Sequence, residues 1–262
     1  MADHRNVDVK NDTAAGMTDA AQKPAVSLVP DTAPSLDSEC VALLEAAVLS
    51  PLHGAPSAAI SELIASGIKR TDIADLYIPA VARILGDQWC VDQLSFADVT
   101  IGSARLQAML RSLGPDWSGV TQFQPGSASI LLIVPEDIHH TLGALVLGGQ
   151  LRRKGLSVKL VLSGKNQDIA NWVRHSTYEA VFISSSRGES LESLRRIVDV
   201  VKSSASRVPP IVVGGSILSV ETKENVTALT GADHATKIPE EALELCGLLV
   251  PTQDDAHLKF RV

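Results

Sequence analysis

Ser129-Ile-Leu-Leu-Ile-Val134 is an unbroken apolar run, and Pro135-Glu-Asp-Ile-His-His-Thr-Leu-Gly143 follows it, first polar and then small. A short aliphatic run without alternation reads as a strand covered on both faces, the habit of a parallel sheet. The chain beyond it keeps that beat. A helical stretch over 141–154 ends at Lys154-Gly155. Then come a strand (158–162), a helix (167–176), a strand (180–184), a helix (189–204), Ile211-Val-Val213, a helix near 220–230, an extended piece (233–236) and a helix from Pro239 to Leu249. Regular alternation predicts an α/β flavodoxin-like (Rossmann-like) domain over 128–250, with five parallel strands.

Upstream the period changes to that of helices. Asp37 is a good N-cap for the stripe Val41, Leu44, Val48, which Pro51 and Gly54 break. Ser57 opens a second stretch, 58–66, ended by Gly67; Thr71 opens a third, through Ile73, Leu76, Ala80 and Ile84 to Gly86. Ser95 with Asp98 three residues on is a capping box, and starts a fourth helix through Ile101, Leu106 and Leu110 that Gly114-Pro115 stops. Short connections predict an all-α four-helix bundle over 37–114. Residues 1–36 show no sustained period and read as a disordered arm, 115–127 as a linker, and 251–262 as a tail.

Composition narrows the function. The 262 residues carry a net charge of −7 and only 3% aromatic residues. Such a chain lacks both the cationic surface and the stacking rings of a direct nucleic-acid binder. Its apolar runs are too short to span a membrane and no signal segment is expected. Cys40, Cys90 and Cys246 form no CxxC pair, which argues against a disulfide framework or a zinc site. A cytoplasmic protein is expected.

Ligands of doubly wound sheets bind outside the carboxyl ends of the strands. Three of those ends carry chemistry: His140-Thr-Leu-Gly143, Ser184-Ser-Ser186 and Gly214-Gly215. Each has a plain structural reading as well. A loop histidine is usually solvated, Thr141 can be an N-cap, Gly143 a close-packing residue, the serines caps, and Gly-Gly a turn. Together they describe a slot with an imidazole at its mouth, which suits a planar metal macrocycle with an appended tail. No GxGxxG, GxxxxGK[ST], GxSxG or HExxH is present, so an ordinary nucleotide enzyme or hydrolase is unsupported and no catalytic residue is assigned.

This set resembles the cobalamin-binding domain of methionine synthase and methylmalonyl-CoA mutase, whose pattern is DxHxxG, then SxL, then GG. The resemblance implies that His140 is the lower axial ligand of cobalt, and that the displaced tail lies between Ser184, Ser185, Ser186 and Gly214, Gly215. His140 is preferred to His139 because it alone keeps HxxG. The chain departs from the pattern at Ile138, where the family has Asp, and at Ser186, where it has Leu. The helical half resembles the cap of these proteins, with Trp89 over the upper face; the plain alternative is a core tryptophan. Light-sensing regulators carry Glu-His ten and eleven residues beyond that tryptophan, where Val99 and Thr100 stand here.

The stretch from Leu85 to Gln107, with Glu136-Asp-Ile-His-His-Thr-Leu-Gly-Ala144, is similar to the PpaA/AerR family of antirepressors from purple photosynthetic bacteria. That resemblance implies a non-enzymatic regulator that binds hydroxo- or adenosyl-type cobalamin and acts, in response to light or oxygen, on a CrtJ/PpsR-type repressor of photosystem genes. Two alternatives keep the fold: a corrinoid methyl carrier for a methyltransferase, and a haem-binding sensor.

Overall fold

The computed structural model describes residues 36–119, 126–136 and 141–248. The expected arm up to residue 35, His139, His140, the middle of the expected linker and the expected tail lie outside them.

The helical half begins where Asp37 caps α1 (Ser38–Leu49), its carboxylate accepting the N–H of Glu39 at 2.9 Å. Next come α2 (Ala55–Ala65), then α3 (Arg70–Asp72), a π-helical turn (Ile73–Tyr77) and α4 (Ile78–Cys90), which run on without a break. The helix therefore does not stop at Gly86 as the sequence predicts. Packing of Val81 and Leu85 into the core outweighs the roughly 1 kcal/mol that a mid-helix glycine costs. Ser95 and Asp98 form the expected capping box of α5 (Phe96–Ser112). Leu44, Leu63, Ile78, Leu85, Leu106 and Leu110 make the core. Gly102 lets α5 come close to α4, since a Cβ there would stand 2.8 Å from Leu85 Cδ1.

Pro115–Ser118, expected within a linker, forms a short helix, α6. Its Trp117 is only 7% exposed. The indole lies on Gly149, where a Cβ would come within 2.9 Å of the ring.

The α/β half alternates β1 (Ser129–Pro135), α7 (Leu142–Arg153), β2 (Ser157–Gly164), α8 (Asn166–His175), β3 (Ala180–Ser185), α9 (Leu191–Ser204), β4 (Ile211–Gly215), α10 (Lys223–Thr230), β5 (His234–Ala235) and α11 (Pro239–Leu245), with a 3₁₀ turn (Ser216–Ser219) after β4. All five strands are parallel, in the order β2-β1-β3-β4-β5. That is the flavodoxin-like order, and it puts the switch point between β1 and β3. One sheet face (Leu131, Ile133, Val181, Ile183, Ile211, Val213) packs on α8, α9 and α10. The other (Ile130, Leu132, Val134, Phe182, Val212) faces α7 and α11. Leu132 pairs in register with Phe182, and Phe182 with Val212, so these three form one row across the sheet.

Helix α7 belongs to both halves. Val146 sits in the bundle core, with Leu142 and Leu145 against it, while Ala144 and Leu151 pack on the sheet. Among the described residues no helix is long and apolar enough to cross a membrane.

Candidate functional site

A cavity of about 260 Å³ opens on the α7–α11 face of the sheet. Its floor is the row Leu132, Phe182, Val212. One wall is α7, through Gly143, Val146, Leu147 and Gln150; the opposite wall is Ile238, Pro239 and Ala242 at the start of α11. Ser184, Gly214 and Gly215 bound it at the strand ends. The ends of two neighbouring strands, β3 and β4, thus border one slot, because a parallel sheet brings its carboxyl ends to the same edge.

The glycines that border the slot do different work. Gly143 has no neighbour within 4 Å of where its Cβ would be, so it is not the close-packing residue of the plain reading. It leaves the α7 wall bare and the slot open. The diglycine is demanded by the backbone itself. A Cβ on Gly214 would be 2.8 Å from the Thr236 carbonyl oxygen. One on Gly215 would overlap the Ser185 carbonyl oxygen, and Gly215 has φ +99°, a conformation that favours glycine.

The serines also divide. Ser184 borders the slot. Ser185 is buried and donates its hydroxyl to the Gly214 carbonyl at 3.0 Å, tying β3 to β4. Ser186 accepts the Glu189 N–H at 3.2 Å through its carbonyl, closing the turn that leads to α9. Alternation explains the split, since Ser184 shares its face with Phe182 and Ser185 does not.

Thr141 does not cap α7 with its side chain. Its hydroxyl instead takes a hydrogen bond from Gln107 Nε2 of α5 at 3.1 Å. Val99, Ser103 and Gln107 fall four residues apart and share one face of α5. That face leads from Thr141 out to half-buried Val99, near the start of the helix. Trp89, in the last turn of α4, is 46% exposed, which excludes the core-tryptophan reading. Its ring lies 6.3 Å from that of Phe96. Phe96 beside it is exposed as well.

Several bordering residues lay outside the sequence expectations. Asp75, in the π-helical turn, borders the slot and forms a salt bridge with Arg153 at the end of α7. Burial pushes its carboxyl up, against the opposing pull of Arg153 and of the nearby Gln150 amide, and Oδ1 is shut from solvent. A π-helical turn leaves no pattern that reveals it in the sequence. Lys237 and Thr236 border the slot at the end of β5, where the carboxyl-end rule applied to the last strand would have found them.

Among the described residues no three His, Cys, Asp or Glu side chains gather to hold a metal ion. A macrocyclic metal, which brings its own ring donors and asks the protein for one ligand, is compatible with that set. The slot fits such a cofactor's tail, because it is chiefly apolar, bare at Gly143 and walled by two helices.

Comparison with known proteins agrees with this geometry. The model of the B12 binding domain matches residues 128–246. A Rhodobacter capsulatus protein, described as an uncharacterized 20.5 kDa protein in the bchF-crtJ intergenic region, is 32% identical over 175 residues, covering 67% of this chain and 90% of that one. The monomethylamine corrinoid protein of Methanosarcina barkeri has the same fold, with TM-score 0.64 at 15% identity over 81% of this chain and 99% of that one. A cobalamin-binding protein from Desulfitobacterium hafniense is also similar, with TM-score 0.41 at 21% identity, over 79% of this chain and 97% of that one.

Proposed function

The chain belongs to the PpaA/AerR family, with a B12-binding domain and a relative encoded between bchF and crtJ, and from that premise we propose that it is a cobalamin-dependent regulator of transcription and not an enzyme. The cofactor's displaced tail occupies the slot. His140 would be the residue that holds the cobalt, and Trp89, Phe96 and Val99 would cover the cofactor from the bundle side. What the bound group supplies is a cobalt whose upper ligand can be exchanged or lost in light. The single observation that carries the reading is the bare α7 wall: Gly143, three residues after His140, opens directly onto the cavity.

The protein's own part is to pass on a change at that ligand. Helix α7 starts two residues after His140 and is gripped by the bundle along its length. Gln107 holds Thr141 at its start, Trp117 lies on Gly149, and Asp75 pairs with Arg153 at its end. A shift of His140 therefore moves the bundle relative to the sheet. A DNA-binding repressor of the CrtJ/PpsR type reads that movement, which accounts for a regulator of net charge −7 that needs no nucleic-acid surface of its own.

The test is reconstitution with hydroxocobalamin, adenosylcobalamin and haem, with absorption spectra before and after illumination. Retention of haem and of no corrinoid overturns the cobalamin reading. An unchanged spectrum in His140→Ala overturns the axial assignment. Repressor association is then measured in light and dark, with and without cobalamin. If it depends on neither, the regulatory reading fails, and methyl transfer to a thiol or folate acceptor would make the chain a methyl carrier.

A further inference from the structure

Asp75 and Lys237 are the charged residues among the described lining of an otherwise largely apolar slot. Asp75 is neutralised by Arg153. Lys237 is different. Its Nζ donates to Ser219 Oγ at 2.9 Å, and no carboxylate of the described residues comes within ion-pair distance. Lys154, Lys165 and Lys223 each meet one, while Lys159 lies over the Trp172 ring and Lys202 donates to the Gly231 carbonyl, neither of them beside the slot. The acids nearest in sequence are already engaged. Glu240 pairs with Lys154 at 2.8 Å. Glu241 is held by Lys223 at 2.7 Å and by the Thr236 hydroxyl.

The lysine's backbone is fixed on both sides. Thr236 N–H bonds to the Val213 carbonyl at 3.1 Å, extending the sheet, and Thr236 Oγ1 accepts the Ile238 N–H at 3.1 Å. Ser219 closes the 3₁₀ turn that starts just after Gly215. Lysine and serine therefore approach each other from the ends of two neighbouring strands, at the exposed lip of the slot. An exposed cation without a counter-charge among the described residues, beside a largely apolar cavity, is placed for an occupant that is apolar at one end and anionic at the other.

We propose that Lys237 Nζ and the Ser219 hydroxyl bind the phosphodiester of the cofactor's nucleotide tail, which makes Lys237 a specificity-determining residue. The inference rests on the cobalamin reading above. The tail's heterocycle suits the apolar slot. Its phosphodiester is the tail's one anion and is costly to bury without a partner, so it stays at the lip. The ammonium offers three donors, and the serine hydroxyl that now accepts from Lys237 still has its own proton to give. The chain then prefers complete corrinoids to cobinamide, which lacks the nucleotide tail.

The full chain, as wild type, Lys237→Gln and Lys237→Arg, is titrated with hydroxocobalamin and with cobinamide at low and high salt. Lys237→Gln is expected to weaken cobalamin binding roughly five- to tenfold, the range of a partly exposed charge-assisted contact. It leaves cobinamide within about twofold and flattens the salt dependence. Lys237→Arg keeps cobalamin binding near wild type. Equal losses for both corrinoids, or no loss for either, overturn the proposal. Binding of neither corrinoid to the wild type overturns the cobalamin reading on which it rests.

Discussion

Replacing Gly143 by leucine separates the slot's function from its fold. Gly143 is the second residue of α7, its φ lies outside the left-handed region, and nothing lies within 4 Å of its Cβ position. A Cβ there meets no described residue, and a side chain relieves the position of glycine's backbone freedom. The apo protein should gain about 0.5–1 kcal/mol, the difference between glycine and a good helix former. The same side chain enters a cavity of about 260 Å³ that the cofactor tail has to fill. Overpacking of that kind costs about 1–3 kcal/mol, which is roughly 5- to 150-fold in affinity. Urea denaturation of the apo chain and a spectrophotometric cobalamin titration give the two numbers, with Gly143→Ala expected to lie between. Cobalamin bound within twofold of wild type would refute the assignment of this wall to the tail. Loss of apo stability would show that Gly143 is packed after all.

Gly215→Ala should act in the opposite sense. It combines a left-handed φ with overlap on the Ser185 carbonyl, and should lower apo stability by about 2–5 kcal/mol in the same urea assay; a variant of normal stability that fails only in binding would contradict this. Arg153→Leu strands the buried Asp75 carboxylate and should cost about 2–4 kcal/mol at neutral pH, somewhat below a fully buried pair because both side chains keep some exposure. Since burial already raises Asp75, that deficit should shrink as pH falls through its folded value and the acid goes neutral; a deficit independent of pH would rule out the buried charge as its cause. In the wild type, hydrogen bonds from Ser95 to Asp98, Lys154 to Glu240 and Lys223 to Glu241 hold these carboxyls below their usual values. Their contribution is complete above the ordinary carboxylate range near pH 4 and is lost as pH falls below it, so the urea midpoint should decline on acidification.

Much of the architecture is legible in residue order, because its determinants are local. The aliphatic run 130–134, within its alternation with helical stretches, reads as a strand covered on both faces, and Asp37 and Ser95 with Asp98 announce helix starts through hydrogen bonds made within three residues. The site is legible only in outline. The small residues at the strand ends point to a slot, yet residue order does not say which of them line it. Ser184 and Ser185 are neighbours whose roles are opposite, and the difference lies in which sheet face α7 and α11 leave open. Gly143 and Gly215 look alike as letters. At one a Cβ would meet no described residue, and at the other it would meet a carbonyl.

By itself the sequence determined the alternation of strands and helices, the caps that start the helices, and the carboxyl edge where small residues gather. Each depends on periodicity or on contacts a few residues apart. Only the tertiary structure decided the row Leu132–Phe182–Val212 as a floor, the π-helical Asp75 as the partner of Arg153, Trp117 on Gly149, and Lys237 at the lip beside Ser219. These join residues up to 78 positions apart. Which distant groups meet is set by how two helices and a five-stranded sheet share space, and no local pattern encodes that.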